Sequence, residues 1–227
     1  MDSVTQLILI APVLLFSMVA HEYAHGWVAL KNGDPTAYQL GRLTWNPLKH
    51  IDPFMTILLP VFLAISHAPI LGGAKPIPVN PRNYRNFKRG DIMVSLAGVT
   101  TNVILAFVFA AIVPLLYYPG NAYPAAENGF AIVQRMFIYG IEINLILAAF
   151  NLLPVPPLDG SHVFKYVLPP AWALSYERIS RFGLLIIYAL LFLGGPLLSW
   201  WLFPAEAVTN FLVGSVGGFI LPWQGVL

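Results

Sequence analysis

The chain has 227 residues, 58% of them hydrophobic and only 10% charged, and its 12 Lys and Arg against 10 Asp and Glu leave a formal charge of +2. A soluble domain carries roughly 25% charged residues, so this composition, with a mean hydropathy of +0.72, excludes an ordinary soluble domain and implies a multi-pass membrane protein. The small charge gives no reason to expect a nucleic-acid partner, and the absence of cysteine excludes a disulfide framework and a thiolate metal site, leaving only His and carboxylate as metal ligands.

Residues 4–30 are apolar over more than the ~20 residues that a spanning helix needs, and Asn32-Gly33-Asp34-Pro35 reads as a stop and turn. Residues 1–20 lack the basic start of a cleavable signal peptide, so this segment is expected to be retained. Residues 36–52 are mixed, punctuated by Asn46-Pro47 and Asp52-Pro53, and read as short strands or loop. Residues 54–71 are apolar but contain Pro60 and Pro69, and the proline- and glycine-rich run 72–81 cannot be a helix. Arg82, Arg85, Lys88 and Arg89 make a basic loop at 82–89. Residues 92–118 read as a span closed by Pro119-Gly120. Residues 131–153 read as another, interrupted by Arg135, Glu142 and Asn144 and broken by Pro154-Val155-Pro156-Pro157. Residues 160–181 are amphiphilic, with Lys165, Arg178 and Arg181; 182–203 span again through a Gly194-Gly195-Pro196 kink, and 207–221 make a partial or tilted span. No internal repeat is visible.

Basic clusters prefer the cytoplasmic side, which puts 82–89 and 165–181 inside and 119–130 outside. Residues 31–90 then start and end inside, so 54–71 either re-enters or crosses and returns through 72–81. Irregular backbone at membrane depth survives only when buried in protein or lining a wet cavity, so extended segments are expected near a functional site. The chain is expected in the cell membrane, multi-pass, with that site toward the cytoplasmic side.

Two motifs carry chemistry. His21-Glu22-Tyr23-Ala24-His25 is an HExxH on the first apolar helix, which puts two imidazoles on one face with a carboxylate beside them. Ionisable groups within a span cost ~2.5–3.5 kcal/mol each on insertion scales and mark function. His21 and His25 can hold Zn2+, and Glu22 is placed as general base. Leu158-Asp159-Gly160 offers Asp159 as third ligand, with the fourth position open to water; alone, Asp-Gly is also a common turn. Asn151, just ahead of the proline break, can hold a peptide carbonyl or a tetrahedral oxyanion.

With these motifs the chain resembles the site-2 protease family of intramembrane zinc metalloproteases, in the compact form without a PDZ domain. The resemblance covers about residues 10–165: HEYAHGWVA, GDPTA, GRLTWNPLKHIDP, AKPIPVNPRN and NLLPVPPLDG. It implies His21, His25 and Asp159 as zinc ligands, Glu22 as catalytic carboxylate, and Asn151 in contact with substrate or oxyanion. It implies a three-helix core from the spans holding 21–25, 92–118 and 131–159. The sequence departs from the family at Ala97-Gly98-Val99-Thr100-Thr101-Asn102, which lacks the proline often found after Ala-Gly but keeps the Asn.

The reading is an all-α membrane protein of about five to six transmembrane segments, with a three-helix catalytic core and short extended or re-entrant segments. It is a single metalloprotease domain over 1–227, core about 4–168 and accessory spans about 182–221. It would cleave a peptide bond in or near a transmembrane segment of a membrane protein substrate, and 36–48 or 72–81 could pair with the unwound substrate strand. A zinc or proton-coupled transporter is the alternative from another class, and a dead scaffold is disfavoured because Glu22 and all three ligands are present. Asn102 reads as an interhelical hydrogen bond or a contact to the active site, His50 and His67 as polar loop residues, and His162 as a neighbour of the site without a firm role. Glu142 is expected to pair with a polar neighbour or face a water path, and Trp200, Trp201 and Trp223 to anchor at the interface.

Overall fold

The computed structural model describes residues 3–66 and 72–223, which exclude His67. Among the described residues the regular structure is helical, without strands. In order come α1 (Ser3–Lys31), α2 (Thr36–Gln39), α3 (Leu59–Ile65), α4 (Phe87–Ala122), α5 (Glu127–Asn151), α6 (Asp159–Phe164), α7 (Pro170–Ile179), α8 (Gly183–Leu193) and α9 (Gly195–Val216). Three helical stretches among the described residues are long and apolar enough to cross a membrane: Thr5–Lys31, Phe87–Ala122 and Pro124–Asn151. A fourth is added if Pro170–Leu193 and Gly195–Phe219, bent by 92°, count as one span.

The all-α membrane architecture is as expected; among the described residues three to four stretches are long enough to span, against the five to six segments read from the sequence. One reason is that the apolar run after Asp52 coils into a wide π-type turn, Pro53–Leu58, and the short α3, too short alone for the ~20 residues a span needs. The other is that the C-terminal break falls at Gly194: α9 runs through Phe203-Pro204 as one helix. Likewise α4 does not stop at Pro119-Gly120 but continues to Ala122 with Pro114 and Pro119 inside it; each proline forfeits its own bond to the preceding turn without ending the helix. Residues 36–52 are not strands. Asp34 Oδ1 accepts from the Thr36 N–H at 3.1 Å and from its hydroxyl, which starts α2, and Gly41 turns the chain at φ +61°.

The chain divides into two compact units. The first comprises Met1–Ser17, Asn102–Ala148 and Leu202–Leu227. Its apolar interior holds a satisfied polar layer. Asn102 Nδ2 donates to Asn144 Oδ1 at 2.8 Å, and Asn144 Nδ2 donates to Ser17 Oγ and Gly140 O, each at 2.8 Å. Asn102 thus makes the interhelical hydrogen bond that the sequence allowed. Gln134 ties α4 to the chain end, donating to Val113 O and Phe219 O and accepting from the Leu221 N–H. Unpaired, such groups would be costly in an apolar interior; paired, they fix helix register.

The second unit comprises Met18–Thr101 and Ala149–Trp201. Here α1 ends in a Schellman cap: Gly33 takes φ +108°, its N–H donates to Leu30 O, and the Asp34 N–H donates to Ala29 O. The start of α4 packs on this end through Ala29, Val28, Tyr84 and Val94. Residues 72–80 form a strap without helix or turn. Gly73 N–H donates to Met55 O, Lys75 N–H to His50 O, and the Arg42 guanidinium to Lys75 O and Pro76 O at 3.1 and 3.2 Å. At its far end the Asn80 N–H donates to Asp34 Oδ2 at 2.6 Å.

Candidate metal centre

The geometry of α1 puts His21 and His25 one turn apart on a buried face. Their Nε2 atoms lie 3.0 Å apart. Asp159, first residue of α6, brings Oδ2 to 3.2 Å from His21 Nε2 and 3.4 Å from His25 Nε2. Among the described residues this is the one cluster of His, Cys, Asp or Glu with the makings of a metal site. His25 Nδ1 donates to Val94 O at 2.7 Å, which fixes the tautomer and leaves Nε2 with a lone pair.

The donor set fits zinc. Ligand atoms at ~2.0–2.1 Å from a tetrahedral zinc stand ~3.3 Å from one another, close to the separations found. Asp159 Oδ2 is buried and accepts no hydrogen bond. A buried carboxylate oxygen and an imidazole lone pair turned toward one point call for a cation there.

Glu22 lies beside this cluster in sequence and points to the strap: its Oε2 accepts from the Ile77 N–H at 2.7 Å. The Ile77 side chain is buried, and a Cβ at Gly26 would come within 2.5 Å of its Cδ1. Glycine one residue past HExxH thus lets the strap lie on α1. Tyr23 stacks on Trp45 with ring centroids 4.5 Å apart, bringing the 40–46 loop onto the same helix.

The other wall is α4. A Cβ at Gly98 would stand 2.5 Å from His21 Nε2 and 2.6 Å from His25 Nε2, so only glycine lets α4 approach both imidazoles. The helix passes through Val99 unbroken; the missing proline leaves it intact. Near its start, Asp91 is buried and accepts from Tyr166 Oη and Lys165 Nζ, both at 2.8 Å, with His162 Nδ1 at 3.4 Å. Gly160 lies against the backbone carbonyls of Leu152 and Leu153, which fold the chain after α5 back onto the start of α6.

The structure thus brings together His21, His25 and Asp159. Asn151 is the half-buried last residue of α5. His162 turns to Asp91, and His50 is a polar loop residue as expected, fully buried, its Nε2 paired with Thr44 O at 2.8 Å. Glu142 is exposed on α5. Trp200 is exposed, whereas Trp201 Nε1 donates to Ala149 O and the Arg135 guanidinium stacks over Trp223. The sequence reading missed Val94 O, the Ile77 N–H and Asp91. The first two are backbone groups with no side-chain signal. Asp91 stands where any helix start carries polar residues.

Two imidazoles and a carboxylate converging on an apolar helix, with a glutamate alongside, suit a metal-dependent hydrolase working in a membrane. Comparison with known proteins agrees. Residues 122–194 match Peptidase family M50. The chain is 39% identical over 191 residues to "Putative zinc metalloprotease YwhC" of Bacillus subtilis, covering 84% of this chain and 82% of that one. It is 29% identical over 225 residues to "Putative zinc metalloprotease Rip2" of Mycolicibacterium smegmatis, covering 96% and 81%. Over 81 residues it is 43% identical to "Putative zinc metalloprotease MJ0611" of Methanocaldococcus jannaschii, 36% of each chain. No solved structure matches. The chain belongs to Peptidase family M50, the site-2 protease family, and is a zinc metalloprotease of the membrane; nothing supports the transporter alternative.

Proposed function

We propose that His21, His25 and Asp159 ligate the zinc, that Glu22 is the general base, and that Asn151 holds the scissile carbonyl or its developing oxyanion. The observation that carries this reading is the convergence of His21 Nε2, His25 Nε2 and Asp159 Oδ2 within 3.4 Å of one another. Bound there, zinc supplies Lewis acidity and lowers the pKa of a water to about 7. Glu22 takes the proton of the attacking water on Oε1, Oε2 being engaged by Ile77, and passes it to the leaving amine. The Asn151 amide donates to the substrate oxygen as charge builds on it. Substrates are membrane proteins; a substrate helix must unwind first, because its peptide bonds are hydrogen-bonded internally. Of the two segments expected to receive the unwound strand, 36–48 is taken up by α2 and turns while the strap 72–80 is free of both, so the strap is the one that fits strand addition.

The protein is proposed to be a multi-pass protein of the cell membrane with the zinc site toward the cytoplasm. Positive-inside charge supports this. So do two contacts: Arg85 N–H donates to Asn32 O, and Asp91 binds Lys165. They gather the end of α1, the basic loop and the second basic cluster at one level. The chain has no cysteine, so single cysteines at 82–89, 165–181 and 119–130 can be labelled from each side; labelling of 82–89 from outside overturns the orientation. The catalytic reading is tested with Glu22→Gln, which should keep zinc, lose cleavage and trap a membrane protein substrate. Full cleavage by that variant removes Glu22 as the base.

A further inference from the structure

We propose that Asp91 is a positioning residue for the metal centre: it clamps the far end of α6 to α4 and so sets where Asp159 presents its carboxylate to His21 and His25. The inference rests on the ligand assignment above. It starts from how little α6 does to hold itself. The helix leaves a proline-rich turn, spans only Asp159–Phe164, and its cap residue Leu158 offers no side-chain bond to the first turn. Besides the Phe164 ring edge on Tyr176 of α7, two sets of contacts outside it hold it. At its start, Gly160 abuts the Leu152 and Leu153 carbonyls. At its end, His162, Lys165 and Tyr166 all reach one buried carboxylate, Asp91. Asp159 lies one to two turns from these three groups, so a slide or roll at that end displaces the ligand oxygen.

The face of α4 that makes the clamp also serves the other two ligands. Asp91, Val94 and Gly98 stand at i, i+3 and i+7, on one side of the helix. Asp91 holds α6, the Val94 carbonyl orients His25, and Gly98 leaves room for both imidazoles. One helix face therefore indexes all three ligand side chains. The charge matters as well as the shape. Lys165 Nζ lies 2.8 Å from Asp91, and its other carboxylate, Glu177, is 3.5 Å away and far more exposed. Neutralising Asp91 strands a largely buried cation and loosens the clamp from both sides.

The test uses the full-length protein in detergent and reads metal, not proteolysis. Zinc affinity is measured by chelator competition, and the coordination geometry by the visible spectrum of the cobalt-substituted protein. Asp91→Asn, close to isosteric, should weaken zinc binding about 10–100-fold, the range for partners that orient ligands, and dim the tetrahedral cobalt bands. Tyr166→Phe removes one donor and should move both readouts the same way by less. Gln134→Leu removes buried hydrogen bonds in the other unit; it should lower thermal stability and leave both metal readouts as in the wild type. The proposal is overturned if Asp91→Asn and Tyr166→Phe keep wild-type affinity and spectrum whatever their melting temperature, or if Gln134→Leu weakens zinc as much as they do. If Asp91→Asn does not fold, Tyr166→Phe against Gln134→Leu decides. A wild-type protein that binds no zinc overturns the ligand assignment instead, a separate outcome.

Discussion

The backbone N–H of Ile77 donates to the Glu22 carboxylate at 2.7 Å. The glutamate of HExxH is thus held by a strap from a distant part of the chain, and the strap is itself drawn into place by the Arg42 guanidinium on the two carbonyls just before it, Lys75 O and Pro76 O. Holding one carboxylate oxygen fixes the rotamer of the other. Positioned bases contribute 10²–10⁴ in rate, and the contribution depends on reach.

Ile77→Pro removes that N–H. Its neighbours are Pro76 and Pro78, no helix or turn is broken there, and a residue before proline already favours the backbone region that the ring's fixed φ requires. Ile77→Ala keeps the N–H and loses the buried side chain. The kcat of Ile77→Pro should fall at least about tenfold below that of Ile77→Ala, with equal zinc content and similar KM. Equal kcat for the two variants would make the contact incidental.

Asp34 gives the strap a pH dependence. Burial alone would raise its carboxyl. Hydrogen bonds from the Asn80 N–H, the Thr36 hydroxyl, the Asn83 amide and the Thr36 N–H outweigh burial and hold it below the usual carboxylate range. A depressed folded-state value means that this support is fully present above the ordinary carboxylate range and is lost as pH falls through the lower folded value. Proteolytic nicking within 72–80 should therefore rise below about pH 4 in the wild type. Asp34→Asn should be nicked readily already at neutral pH. Equal resistance of the two at neutral pH would remove Asp34 from the strap's support.

Gly98→Ala adds a methyl where the imidazoles stand 2.5–2.6 Å from the new carbon. Either α4 or the histidines must shift, so zinc affinity should drop about tenfold or more, with α4 still helical by circular dichroism. Wild-type zinc affinity in this variant would show that the imidazoles do not need that space.

Much of this was legible because the signals lie in side chains at fixed spacing. HExxH, Asp159-Gly160 and the Pro154–Pro157 break each announce a local geometry, and the apolar lengths of α1, α4 and α5 announce spans. The proline-rich 72–81 was readable as extended for the same reason, since three prolines there bar a helix. What lay hidden has no such code. The strap meets Glu22 through a backbone N–H, and His25 meets α4 through the Val94 carbonyl, groups every residue carries. Residues 36–52 read as strand or loop because α2 is started by an aspartate two residues earlier, a contact that propensity alone does not rank. The Gly194-Gly195-Pro196 kink was readable from its residues, whereas the gap between 203 and 207 is absent, because a proline inside an apolar helix is tolerated where packing supports it.

Asn151→Ala should retain zinc and most of its stability yet cleave about 10²–10³-fold more slowly, the cost of one lost oxyanion donor. Asn151→Asp should do no better, because an ionised side chain opposes the oxyanion. Near-normal cleavage by Asn151→Ala, measured beside metal content, would reduce Asn151 to a packing amide at the end of α5.

The central claim is that Asp159 completes a zinc site with the two histidines of α1. Its most direct test is the zinc content of purified Asp159→Ala, measured beside the wild type and Glu22→Gln by elemental analysis. The account predicts about one zinc per chain in the wild type and in Glu22→Gln, and close to none in Asp159→Ala. A full equivalent of zinc in Asp159→Ala, bound as tightly as in the wild type, would contradict it.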